Sequence, residues 1–134
     1  MTKIVLDTNV FVSGIFWSGP PSRILQAWQQ RAIKLIISQD ILNEYTRVGE
    51  VLAKNYREVD ISEFIKLITI HSELICPINL PESVSSDPDD DKFIACALSA
   101  GCKLIVSGDK HLLAVSGYAK IEVLKPAAFV KQYL

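Results

Sequence analysis

Short apolar runs alternate with helical periodicity along the whole of this chain, and that alternation leaves few folds open. Ile4–Leu6, Lys34–Ile37, Lys103–Val106 and Ile121–Leu124 read as strands, and Glu73–Ile78 as a short further one. Most of them are continuously apolar rather than alternating apolar with polar. Strands of that kind are buried on both faces, which calls for a parallel sheet with helices on either side. Between the strands, Ile24, Leu25 and Trp28 predict a helix over about 22–32. Ser38 is placed to cap a helix with Ile41, Leu42, Tyr45 and Val48 on one face. Val51, Leu52 and Tyr56 predict a further helical segment. Asp60 with Glu63 opens another, with Ile61, Phe64, Ile65 and Ile68 inward. A helix from about 88 to 100 ends at Gly101, a short one covers 110–115, and Pro126 opens a terminal one to 133. The stretch after the first strand, through Ser18-Gly19-Pro20-Pro21-Ser22, reads as a connection, and 79–88 as a polar loop.

The 134 residues fit one domain over 1–134 with one sizeable core. A hydrophobic content of 49% argues against disorder. A net charge of -1 gives no global basic field, so any nucleic-acid contact has to come from a local patch. The three cysteines, Cys76, Cys96 and Cys102, lack metal-ligand spacing. Cys96 and Cys102 fall in apolar surroundings and read as reduced core residues, which points to a reducing compartment. No stretch reaches membrane-spanning length and no signal-peptide pattern is visible, so a cytoplasmic location is the default expectation.

Function has to be sought among the acids. In an open parallel sheet, ligands bind beyond the carboxyl ends of the strands. Asp7 follows the first strand directly, and Asp109 follows Leu104–Val106 with Ser107 and Gly108 between. Asp90 lies in the first turn of one helix and Glu44 in the second turn of another. All four can reach one edge. Carboxylates packed together repel, and a Mg2+ or Mn2+ ion, which prefers oxygen ligands, is their natural counterweight. Such a site suits phosphodiester hydrolysis, by one ion or by two about 4 Å apart.

Each acid also has a plainer reading. Asp7 could end a strand and start a turn, with Asn9 holding that turn or hydrogen-bonding a ligating carboxylate. Glu44 could be a solvated helix residue. Asp87 could cap the helix that Pro88 opens, with the following acids favourable at its positive end. Asp89 and Asp91 read as solvated or supporting. Asp109 could cap the next helix, and Ser38 and Ser107 could orient carboxylates or only cap. Joint placement carries the argument, not any single residue.

Taken together these segments resemble the PIN-domain family, and within it the bacterial toxin components of toxin–antitoxin systems related to VapC-type toxins. The matching pieces are Ile4-Val5-Leu6-Asp7-Thr8-Asn9-Val10, Ile37-Ser38 with Leu42-Asn43-Glu44-Tyr45, Asp87-Pro88-Asp89-Asp90-Asp91-Lys92-Phe93-Ile94, and Ile105-Val106-Ser107-Gly108-Asp109-Lys110-His111-Leu112-Leu113. The resemblance implies an α/β fold, a three-layer α/β/α sandwich with a central parallel sheet. It implies a Mg2+- or Mn2+-dependent ribonuclease acting on single-stranded RNA. Carried over residue by residue, the metal acids are Asp7, Glu44, Asp90 and Asp109. Asp91 is the fallback for Asp90, and Asn9, Ser38, Ser107 and Asp87 are supporting residues. Homodimers and a separate antitoxin polypeptide are implied as well.

For RNA phosphates, the sequence offers Arg47, Lys54 and Arg57 after Glu44, with Lys92 and Lys110 beside the acids; the plainer reading makes them ordinary surface charges. Phe16 and Trp17 could stack on bases, but core packing is the expectation. His71 and His111 are not expected as ligands of a hard cation. Two other classes compete. One is a non-catalytic binding module that keeps the acids. The other is a receiver-type domain, disfavoured because Asp7-Thr8-Asn9 lacks a second acid.

Overall fold

A computed structural model describes residues 1–56 and 58–134. Among these residues five strands, β1 (Thr2–Leu6), β2 (Ile33–Ser38), β3 (Glu73–Ile75), β4 (Leu104–Val106) and β5 (Glu122–Leu124), form one sheet in the order β3-β2-β1-β4-β5. Every pairing is parallel. The helices are α1 (Thr8–Phe16), α2 (Pro20–Gln29), α3 (Gln39–Ala53), α4 (Ile61–His71), α5 (Asp91–Ala100), α6 (Lys110–Leu113) and α7 (Pro126–Tyr133). This is the α/β/α sandwich with a parallel sheet that the continuous apolar strands imply. Ile4, Val5, Ile36, Ile105 and Val106 are fully enclosed, as strands covered on both faces must be.

The chain steps outward from β1 to β2 to β3, then crosses back to place β4 on the other side of β1. Crossovers of this kind are right-handed, so the outward steps put their helices on one face and the return puts α5 on the other. The reversal falls between β1 and β4. A crevice opens at the carboxyl ends of two strands whose connections diverge, and there an α/β sheet binds its ligands.

The structure departs from the sequence reading in several places. The connection after the first strand holds a full helix, α1. It packs closely on α2 because Gly14 has no side chain: a Cβ there would stand 2.7 Å from the Pro21 carbonyl oxygen and 2.7 Å from Leu25 Cδ1. The separate helical segment read at 51–56 is the end of α3, which runs unbroken to Ala53 and gives way to a turn. β3 stops at Ile75 rather than Ile78. Residues 88–90 form one 3-10 turn before α5 begins. On α4 only Ile68 is fully buried, while Ile61, Phe64 and Ile65 are half-buried. Trp17 is 46% exposed, so it does not pack in the core; it meets Phe16 and Tyr56 in an aromatic cluster at the surface.

Cys96 and Cys102 are buried and Cys76 is exposed, all three as free thiols. Burial, then the neighbouring Cys102, pushes the Cys96 thiol up to about 12, which makes it an inert core group. Among the described residues no helix is long and apolar enough to cross a membrane.

Candidate metal centre at the sheet's carboxyl edge

Asp7 is the hinge between β1 and α1. Its amide donates to the Val106 carbonyl at 3.0 Å, which ties the end of β1 to β4. Its own carbonyl accepts from the amides of Val10 and Phe11 and so starts α1. The carboxylate makes no capping bond. Instead it lies buried, 5% exposed, and accepts a hydrogen bond from Ser107 Oγ at 2.6 Å. The turn that Asp7 starts is therefore made by its backbone, and the side chain is left over for something else. Burial, and beyond it the charges of Asp109 and Glu44, raise the Asp7 pKa, although the Ser107 hydroxyl pulls the other way.

Ser107, fully buried at the end of β4, links two acids. While donating to Asp7 it accepts from the Asp109 amide at 2.9 Å. Asp109 opens α6 without a side-chain capping bond. Its carboxyl faces that of Asp90, where α5 begins. Burial and then the adjacent Asp109 carry Asp90 up to about 7. Burial alone would raise Asp109 too, but the adjacent Asp90 carboxyl, followed by the nearby His111 amide, holds it below its usual range. Two carboxyl groups that close resist ionising together.

This pairing makes stability depend on pH. A carboxyl raised above its unfolded value contributes stability in full below about pH 4, and loses it as pH rises toward about 7. Asp90 is partly open to water, so the effect is of the order of 1 kcal/mol, or a few degrees in Tm. In the presence of a chelator, wild-type Tm is expected to fall between about pH 5 and about pH 8. Asp90→Asn should remove most of that slope. A wild-type Tm that stays level or rises over that interval would contradict the raised Asp90 carboxyl.

The neighbouring acids play other parts. Asp91 accepts from Ser83 Oγ at 2.7 Å, the Ser85 amide at 2.8 Å and the Val84 amide at 3.3 Å. It is committed to fastening the loop ahead of the 3-10 turn. Asp87 caps that turn by accepting from the Asp89 amide at 3.1 Å. Ser38 caps α3 by accepting from the Ile41 amide at 3.3 Å. Asn9 is exposed on α1 and bonds no carboxylate; it lines a groove of about 560 Å³ with Ser13, Gly108, Asp109 and Lys110. His111 is engaged with Ser86 Oγ at 2.7 Å.

Glu44 projects from α3 and lies at the edge of a second groove, about 500 Å³, with Asn43, Arg47, Asp89 and Lys92. The Lys92 ammonium stands 2.7 Å from Glu44 Oε2 and 3.1 Å from Asp89 Oδ1. Lys92 is only 17% exposed, so it is not the ordinary surface charge that the sequence suggested. Glu44 Oε2 still lacks an aligned hydrogen bond, which makes the contact an ion pair. Arg47, Lys54 and Lys110 are exposed; Arg57 lies outside the described residues. Two further contributors were not read from sequence. Tyr45 is fully buried, stacks on Phe11 with ring centroids 4.1 Å apart, and donates its hydroxyl to the Leu6 carbonyl just before Asp7. The Thr8 hydroxyl is buried without a partner beside Asp7.

The donor set is all oxygen, as a hard divalent cation requires. Asp90 Oδ2 is buried with no hydrogen-bond partner, an expensive arrangement unless something positive comes to it. The chemistry of these residues therefore fits such an ion. Among the described residues no three acid, His or Cys side chains are already drawn in to ligand spacing.

The sequence matches the PIN domain family over residues 3–111. The crystal structure of PAE2754 from Pyrobaculum aerophilum superposes with a TM-score of 0.60 at 20% identity, covering 98% of this chain and 88% of that one, a likeness of fold. No curated protein matches the sequence. PIN domains are generally nucleases and typically use divalent metal ions. The family match takes in Asp7, Glu44, Asp90 and Asp109 alike, and the chain belongs to the PIN-domain family.

Proposed function

We propose that this protein is a divalent-metal-dependent endoribonuclease that hydrolyses phosphodiester bonds of single-stranded RNA, and that it is the toxin of a type II toxin–antitoxin pair. One observation carries the nuclease reading. The Asp90 and Asp109 carboxyl groups face one another beside buried Asp7, and a buried Asp90 oxygen is left without a partner. In this reading Asp7, Asp90 and Asp109 supply oxygens to a Mg2+ or Mn2+ ion, and Glu44, paired with Lys92, stands beside them. When bound, the ion acidifies water and offsets charge growing on the phosphorane-like transition state. The chain's own task is placement. Ser107 fixes the Asp7 carboxylate and the Asp109 amide through one hydroxyl. The Asp7–Val106 hydrogen bond fixes the spacing of the two strand ends. Asp91 holds the 83–85 loop at the start of α5, and so sets where Asp90 points.

The toxin role rests on the resemblance of the four segments in their order. A separate antitoxin polypeptide, a homodimer and a cytoplasmic location belong to the same proposal. The purified protein with Mg2+ or Mn2+ should cut a single-stranded RNA, leave the matched duplex intact and stop when the ion is chelated. RNA bound but never cut with either ion would favour a non-catalytic binding module. RNA neither bound nor cut would overturn the reading.

A further inference from the structure

The acid that a second cation would need is already occupied. Glu44 sits on α3, while Asp90 and Asp109 sit at the starts of α5 and α6. Asp7 feels both Asp109 and Glu44. Asp90 feels Asp109, Asp7 and Asp87. Glu44 is the neighbour of Tyr45, whose hydroxyl meets the Leu6 carbonyl just before Asp7, which sets its helix against that end of β1. A two-ion clamp would need acids enough for both ions. Here Glu44 carries a lysine ammonium at 2.7 Å.

That ammonium is built in rather than adventitious. The Lys92 and Glu44 side chains are 17% and 15% exposed, and charges that enclosed are retained only as partners. Asp89, three residues earlier, accepts a hydrogen bond from the same ammonium at 3.1 Å. Phe93, the next residue, is buried and fixes the backbone from which Lys92 projects.

We propose that Lys92 stands in for the second cation, neutralising Glu44 so that the centre takes one divalent ion, on Asp7, Asp90 and Asp109. The proposal rests on the metal-centre reading above and adds the number of ions and the residue that sets it. The charges agree. Three carboxylates bring -3 against the +2 of one ion, while Glu44 and Lys92 cancel. A second ion would have to displace an ammonium in contact with its ligand, or sit beside it with like charge. Lys92 is thus a positioning residue, acting through Glu44.

Mn2+ titrated into the full chain tests this by calorimetry and by the Mn2+ paramagnetic resonance spectrum. Wild type should bind one ion per chain with an isolated-ion signal. Lys92→Met, which keeps the length and loses the charge, should bind two, with the broadened signal of a coupled pair. Lys92→Arg should return the count to one. Two ions in wild type, or one ion in folded Lys92→Met, overturns the proposal and leaves the metal centre standing. No ion in wild type removes the metal centre itself and this proposal with it. Should Lys92→Met fail to fold, Glu44→Gln decides: it should still bind one ion, and loss of that ion overturns the proposal.

Discussion

Asp7→Asn is expected to lower metal-dependent cleavage of single-stranded RNA by about a thousandfold or more, with the fold intact. The shapes are nearly identical, and an Asn carbonyl oxygen can accept the 2.6 Å hydrogen bond that Ser107 now gives the carboxylate. What is lost is the negative charge at the centre of the site. The same change should leave the chelated protein at least as stable as wild type. Asp7 is buried, and burial together with two other acids makes its charged form unfavourable; a neutral amide escapes that penalty. Loss of cleavage with an equal or higher Tm therefore separates a functional carboxylate from a structural one. Cleavage within tenfold of wild type would mean that the ion is held elsewhere. A fall in Tm of several degrees would mean that the carboxylate serves the fold.

Tyr45→Ala should cost about 3–5 kcal/mol of stability, read as a drop in the urea midpoint. That is a large share of the roughly 5–15 kcal/mol that holds a domain together. Tyr45 has no exposed surface, and its ring lies almost flat on Phe11, at 13° between planes. Its hydroxyl donates to the Leu6 carbonyl, so it clamps α3 to the end of β1 one residue before Asp7. Tyr45→Phe keeps the packing and loses only that bond, for about 1 kcal/mol. If Tyr45→Ala cost under about 1 kcal/mol, the packing described for α3 against α1 and β1 would be wrong.

The sheet was legible because buried parallel strands leave a plain mark: uninterrupted apolar runs at Ile4–Leu6, Leu35–Ile37 and Leu104–Val106. The helix α1 was not, since Thr-Asn-Val-Phe-Val-Ser-Gly-Ile-Phe is rich in β-branched residues and carries a glycine, both poor for a helix. Packing overrides that preference. Val10, Phe11 and Val12 are all buried, and Gly14 is needed for the approach of α2. Asp90 and Asp91 are adjacent acids that only the resemblance ranked, with Asp91 as the fallback. One helical step turns them apart, and the amides of Val84 and Ser85 that claim Asp91 belong to a loop with no periodicity to place it. Lys92 was the largest miss. Its spacing from Asp89 is visible, but Glu44 lies on a different helix, and only the fold brings the two together. Ser107 stood open between capping and orienting. It orients, because the residue it reaches, Asp7, follows the neighbouring strand.

The account depends on carboxylates far apart in sequence closing together on one divalent ion. Anomalous diffraction from a crystal soaked in Mn2+ measures that directly. The account predicts a manganese peak between Asp7, Asp90 and Asp109, with Asp91 still bonded to the 83–85 loop and Lys92 still on Glu44. A peak elsewhere on the molecule, or no peak at saturating Mn2+ with Asp90 and Asp109 still facing each other, would contradict it.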